Sequence, residues 1–286
     1  MSQKKRKNRR QIRRQKELQR KLIYGAVIGL LVIISVCGVK TFRNARAESL
    51  VAATDVEEAT ENVSAEITDS ENEFVVCIDA GHGFDDPGCD SEWLNGAESE
   101  VTLAMAYILK DQLEDAGAAV ILTHDGTTFP SVQTITSMAD QYNIEYDPAM
   151  MEDNMIFSAY ERTIYTAALN KETPIDVFVS LHINSIDYYP EVSQYELYYY
   201  AENMYTSELE SLCNSLASQL DNETKIYATE SEDSYAVTKH TEFPALLVEM
   251  GYATNANDAA NLNSASWRWS FCELLSQEIM TLNNAS

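Results

Sequence analysis

The stretch FVVCIDAGHGFDDPGC, Phe74 to Cys89, runs a short apolar segment into a turn where His82 sits between two glycines. Five apolar residues bounded by turn signals read as a buried strand. Gly81 and Gly83 let the backbone turn sharply and lie close to a substrate, so the histidine between them is presented rather than packed. Comparable runs follow at AAVILTH (118–124), DVFVSLHI (176–183), YELYYYA (195–201) and ALLVEMG (245–251). Between them the apolar spacing predicts helices at Glu98 to Ala116, Ser158 to Asn170, Ser207 to Leu220 with a Ser207/Glu210 capping box, and Ala265 to Leu282. This alternation predicts an α/β fold: a single three-layer domain with a mostly parallel twisted sheet flanked by helices. Residues 126–157 fit neither period and read as an insertion at the rim of the sheet.

The chain outside that domain has a different chemistry. Residues 1–21 carry eleven bases and one acid and read as a basic cytoplasmic tail. Leu22 to Val39 is uncharged, and 18 residues at helical rise span about 27 Å, which predicts a transmembrane anchor. The basic flank orients the tail inward and the rest of the chain outward. Cleavage after the small-residue pattern near Ala47, giving a secreted protein, is the alternative. Residues 40–72, acidic from Glu48 onward, read as a disordered linker, leaving 73–286 as the catalytic domain. From Glu48 onward 44 acids face 6 bases, a field that disfavours nucleic acid and anionic lipid as partners of the domain. Five cysteines, one of them Cys37 in the apolar segment, exclude a disulfide scaffold, although Cys213 and Cys272 are placed to pair if their helices pack together.

In a parallel sheet, ligands gather beyond the carboxyl ends of the strands. His82, His182 and Glu249 each follow or end a predicted strand, so the fold brings them to one edge. Hydrolytic zinc takes three protein ligands, commonly two imidazoles and a carboxylate, and leaves a fourth position for water. His82 and His182 supply the imidazoles, and Glu98 at the start of the first helix supplies the carboxylate, with Glu100 as the alternative. Glu249, after four apolar residues, is costly to bury without a task and is the expected acid/base. Asp79 is a second-shell candidate that orients backbone or a ligand imidazole, and Asn184 is a substrate-binding candidate. His124 and His240 read as surface residues. Tyr198 to Tyr200 place one face in the core and the other along a sugar-binding groove.

The blocks VCIDAGHG, GAESEVTLAMA, VFVSLHINS and PALLVEMGYATNANDAANL, in this order, resemble the zinc-dependent N-acetylmuramoyl-L-alanine amidases of the amidase type 3 family. The resemblance covers Phe74 to about Leu282. It implies a zinc-peptidase-like fold, Zn2+ held at His82, Glu98 and His182, and Glu249 as catalytic acid/base. The implied substrate is peptidoglycan, cut at the amide between N-acetylmuramic acid and L-alanine of the stem peptide. A protein activator is a partner left open. The chain departs from the family pattern at His124, where arginine is common, and at Ile183, where a small residue is usual. These departures motivate one rival of another class, a catalytically inactive wall-binding or regulatory module on the same fold.

Overall fold

A computed structural model describes residues 73–151, 155–220, 224–230, 235–239 and 241–283. The expected tail, anchor and linker (1–72) and His240 lie outside the described residues. Among the described residues no helix is long and apolar enough to cross a membrane.

Six strands form one sheet: β1 (Val75–Ala80), β2 (Ala119–Leu122), β3 (Val177–Asn184), β4 (Tyr195–Tyr200), β5 (Thr224–Thr229) and β6 (Ala245–Tyr252). Their order is β2-β1-β3-β6-β4-β5, parallel at every pairing except the antiparallel β4–β6. The central strands β1 and β6 are buried along their whole length, so both faces must be covered. On one face Val76 and Ile78 pack against α1 (Glu98–Asp115), α4 (Thr206–Gln219) and α6 (Ala265–Asn283). Cys77 points the other way, to Phe178, Phe243 and Leu169 of α3 (Ala159–Glu172). Helix, sheet and helix make the expected layers.

Local chemistry sets the helix limits. In α1 the buried Val101, Met105, Leu109 and Leu113 recur every four residues, and Gly117 at φ 93° lets the chain turn after it. Ser158 caps α3 in a reciprocal box with Glu161. The box expected at Ser207 is not formed: α4 begins after Tyr205 without a side-chain cap, and the Ser207 hydroxyl turns to Glu208 instead.

Residues 126–157 are more ordered than their pattern suggests. They contain α2 (Val132–Tyr142), capped by Ser131 and closed by Asn143 in the left-handed region. Ile135 and Ala139 of α2 pack on Phe157 and on Ile164 of α3 in a small separate core that also receives Phe84 and Phe129. The aperiodic composition hid this helix because only two of its residues are buried. Helix α5 (Ala256–Asn263), capped by Asn255, and edge strand β5 were likewise unexpected. Cys213 and Cys272 are buried in one core cluster, but both thiols are free. Tyr199 and Tyr200 are buried, while Tyr198 is half-buried against the second core and packs on the exposed Tyr227 and Tyr235.

Arg162 ties α3 to the end of β1. Its Nη1 donates to Asp79 Oδ1 at 2.5 Å and to the Ala80 carbonyl at 2.7 Å, Nη2 to the His82 carbonyl at 2.5 Å, and Nε to the Phe157 carbonyl at 2.7 Å. Asp79 also accepts from Thr123 and Ser180, so the buried pair is fully hydrogen-bonded. Arg162→Leu leaves Asp79 buried without its counter-charge and is expected to destabilise the domain by about 3–5 kcal/mol, read from the chemical denaturation midpoint.

Candidate metal centre

Four side chains meet at the carboxyl edge of the sheet. His82 follows β1 with its own φ at 63°, an uncommon conformation for a residue with a Cβ, and its carbonyl is one of three held by Arg162. Glu98 is the first residue of α1 and is buried. His182 lies near the end of β3, in register with Glu249 of β6. His82 Nε2 is 3.3 Å and His182 Nδ1 is 3.2 Å from the same oxygen, Glu98 Oε1. The two rings meet edge to face at 4.9 Å, and one ligand atom from each of the three residues lies within 4.8 Å of the others.

The groups behind these donors fix their direction. His82 Nδ1 faces Asp86 Oδ2 at 2.7 Å, which leaves Nε2 turned to Glu98. Asp86 in turn accepts from the Gly88 N–H. Glu98 accepts from the backbone N–H groups of Cys89 and Ile183, both at 2.8 Å. Burial opposes a charge on His82, but Glu98 and then Asp86 outweigh it and raise the imidazole to about 9. Burial opposes the charge on Glu98 too, and hydrogen bonds from His182 and His82 override it, holding the carboxyl well below its usual range.

Gly81 answers for the opening motif in a way the sequence did not anticipate. A Cβ there would lie 2.4 Å from Cε1 of His182, so the close approach that glycine permits is by the second imidazole rather than by a substrate. A Cβ on Gly88 would meet Glu98 Oε2 at 2.6 Å.

Two imidazoles and one carboxylate oxygen, convergent and oriented from behind, form a donor set that suits zinc. Beside them Glu249 is almost wholly buried, and its Oε2 has no hydrogen-bond partner. Burial first, then the charges of Glu98 and Glu196, push this carboxyl up to about 8. An unpartnered buried carboxyl oxygen is expensive.

The other expected residues divide. Glu100 is exposed and turns back toward Gly96, away from the cluster. Asp79 bonds Arg162, Thr123 and Ser180, so it reaches His82 through the guanidinium and the backbone rather than by touching an imidazole. Asn184 spends its amide inside the protein, Nδ2 donating to Glu196 and Oδ1 accepting from the Ser185 N–H. His124 is buried, not a surface residue: Nε2 lies 2.9 Å from the Ala80 carbonyl, Nδ1 accepts from the Gly126 N–H, and the ring packs on Phe84 and Phe157. Sequence reasoning missed Asp86, Arg162 and Glu196. Each carried a signal: an acid four residues past His82, one of six bases after residue 48, and an acid amid tyrosines in a strand.

A family model described as N-acetylmuramoyl-L-alanine amidase matches residues 76–280. A germination-specific N-acetylmuramoyl-L-alanine amidase of Bacillus subtilis is 25% identical over 196 residues, covering 68% of this chain and 73% of the relative. The protein YqiI of the same organism is 27% identical, covering 68% and 77%. Among solved structures, N-acetylmuramoyl-L-alanine amidase AmiC2 of Nostoc punctiforme superposes with a TM-score of 0.52 at 25% identity, over 74% of this chain and 98% of that one. The catalytic domain of CwlV from Bacillus (Paenibacillus) polymyxa, at 22% identity and a TM-score of 0.55 over 74% and 99%, shares the fold. With the match running from β1 into α6, the chain belongs to the N-acetylmuramoyl-L-alanine amidase family, amidase type 3, whose members hydrolyse peptidoglycan.

Proposed function

We propose that His82, Glu98 and His182 hold a zinc ion and that Glu249 is the general acid/base in hydrolysis of the amide between the lactyl group of N-acetylmuramic acid and L-alanine. The observation that carries this reading is the convergence of three donors within 4.8 Å beside a buried, unpartnered carboxyl. Zinc in this position supplies Lewis-acid polarisation of the amide carbonyl and acidification of water.

The chain supplies the rest. Asp86 fixes the His82 ring, and the N–H groups of Cys89 and Ile183 fix the Glu98 carboxylate, so the donors need little rearrangement. Glu249 accepts a proton from the attacking water and delivers it to the alanine nitrogen as the C–N bond breaks, leaving a lactyl carboxylate and a free amine. Its burial keeps competing water from that carboxyl. An extracytoplasmic, membrane-tethered location belongs to the same proposal, supported by the basic tail, the apolar run Leu22 to Val39 and the acidic linker.

Purified protein incubated with peptidoglycan is expected to release new L-alanine amino termini. Chelation should abolish release, and Glu249→Gln should lower kcat by about 10²–10⁴-fold while zinc stays bound. Full activity after both treatments would sink the proposal. Gly81→Ala should retain the far-UV circular dichroism of the parent yet lose zinc in metal analysis, because its methyl occupies the space of the His182 ring. In fractionated cells the protein should sediment with membranes and be digested by protease added outside intact protoplasts.

A further inference from the structure

Glu196 has no part in the mechanism above, yet four side-chain donors are built around it. It lies on β4 in antiparallel register with Glu249, which is itself in register with His182. Directly paired residues on neighbouring strands share a sheet face. His182, Glu249 and Glu196 therefore form a row across β3, β6 and β4. Two carboxylates side by side in a buried row would ordinarily share a proton or drive one another apart.

The surroundings of Glu196 decide between those outcomes. Its side chain is 3% exposed. Oε2 accepts from Tyr198 Oη at 2.7 Å and Asn184 Nδ2 at 2.8 Å, while Oε1 accepts from Tyr252 Oη at 2.7 Å and from Gln194 Nε2. Four neutral donors converge, two on each oxygen, which is the pattern of an acceptor-only carboxylate. Burial, and then the hydrogen bond and charge of Glu196, push the Tyr198 and Tyr252 hydroxyls above the phenol range, so both keep the protons they donate. With each Glu196 oxygen already accepting two hydrogen bonds, neither is open to Glu249, whose Oε2 has no hydrogen-bond partner.

We propose that Glu196 is a positioning residue: its collar of four donors leaves it no open acceptor for the Glu249 carboxyl, so Glu249 stays unbonded on the β4 side and free to serve the His82–Glu98–His182 cluster. This inference rests on the amidase reading and assigns Glu196 no contact with substrate. A buried structural acid would need only satisfaction, which a glutamine could share; a neighbour that must not bond Glu249 has to be acceptor-only. In Glu196→Gln the new amide can donate, and Glu249 Oε2 is the open acceptor beside it, so the acid would be captured on the wrong side.

The test is a double-mutant cycle on the zinc-loaded full-length protein with peptidoglycan as substrate, comparing wild type, E196Q, E249Q and the double variant. E196Q is expected to lower kcat by about 10–100-fold with KM and zinc content unchanged. In the E249Q background the same substitution should add almost nothing, since it acts through Glu249. Wild-type kcat in E196Q, or the same loss in both backgrounds, overturns the inference while leaving the amidase reading intact. An inactive wild type overturns that reading and this one with it. If E196Q unfolds or loses zinc, Tyr198→Phe/Tyr252→Phe decides, because it thins the collar and leaves Glu196 in place: a lowered kcat at constant KM supports the proposal, and an unchanged kcat overturns it.

Discussion

The site depends on one buried guanidinium. Arg162 neutralises Asp79 and at the same time holds the carbonyls of Ala80 and His82, the backbone on either side of Gly81. His82 and Phe84 both adopt positive φ, a conformation that costs non-glycine residues about 1–3 kcal/mol each and persists only where the surroundings over-determine it. Arg162 does so from one side, and the Phe84 ring, set against Phe129 and His124, does so from the other. The helix and aromatic residues of the 126–157 segment are thus part of the scaffold that aims a metal-ligand candidate. Although burial opposes its charge, Arg162 and the Thr123 and Ser180 hydroxyls hold Asp79 below its ordinary value. A depressed carboxylate stabilises the fold fully above its unfolded pKa, about 4, and that contribution is lost as pH falls through the lower folded value.

Sheet register does what no single loop could. Parallel pairing of β1, β3 and β6 puts the ends of all three strands at one edge, so His82, His182 and Glu249 meet although 167 residues separate the first from the last. The reversal at β4 adds a fourth member to that edge, because the antiparallel strand begins there and brings Glu196 beside Glu249. Positions on rigid strands are also less mobile than positions on loops, which suits chemistry that tolerates little misplacement. The loop-borne ligand candidate His82 is the exception, and it is the one given a dedicated restraint.

Much of this was legible before any coordinates. The apolar runs foretold β1, β3, β4 and β6 within a residue or two, and the four-residue spacing in α1 and the Ser158 box foretold both helices. What escaped shares a physical character: contacts specified by distant partners. Ser207 looked like a cap, but α4 packs from Tyr205 onward and the local hydrogen bond was not needed. His124 looked like a surface residue because its hydrogen-bond partner Ala80 and its ring neighbours come from three other segments. Asn184 looked free for substrate because its acceptor, Glu196, lies across β6 on another strand. Alternation indicates that a face is buried; it does not indicate that a tyrosine hydroxyl on that face has a carboxylate to serve.

The charge distribution at the edge gives the site its own requirement. Glu98, Glu249, Asp86 and Glu196 crowd one end of the sheet, and Arg162, whose charge reaches Asp86, is already committed to Asp79. In a medium of low dielectric such crowding is tolerable only if protons or a cation share the space. Glu249 answers by holding its proton more tightly, and His82 by gaining basicity. A divalent ion on the His82–Glu98–His182 donors would answer the same demand more strongly, so its binding energy would be drawn in part from the strain of assembling these acids. The composition of the edge therefore couples metal affinity to Glu249: burial and then the charges of Glu98 and Glu196 raise its carboxyl, and those same charges favour a cation on the neighbouring donors.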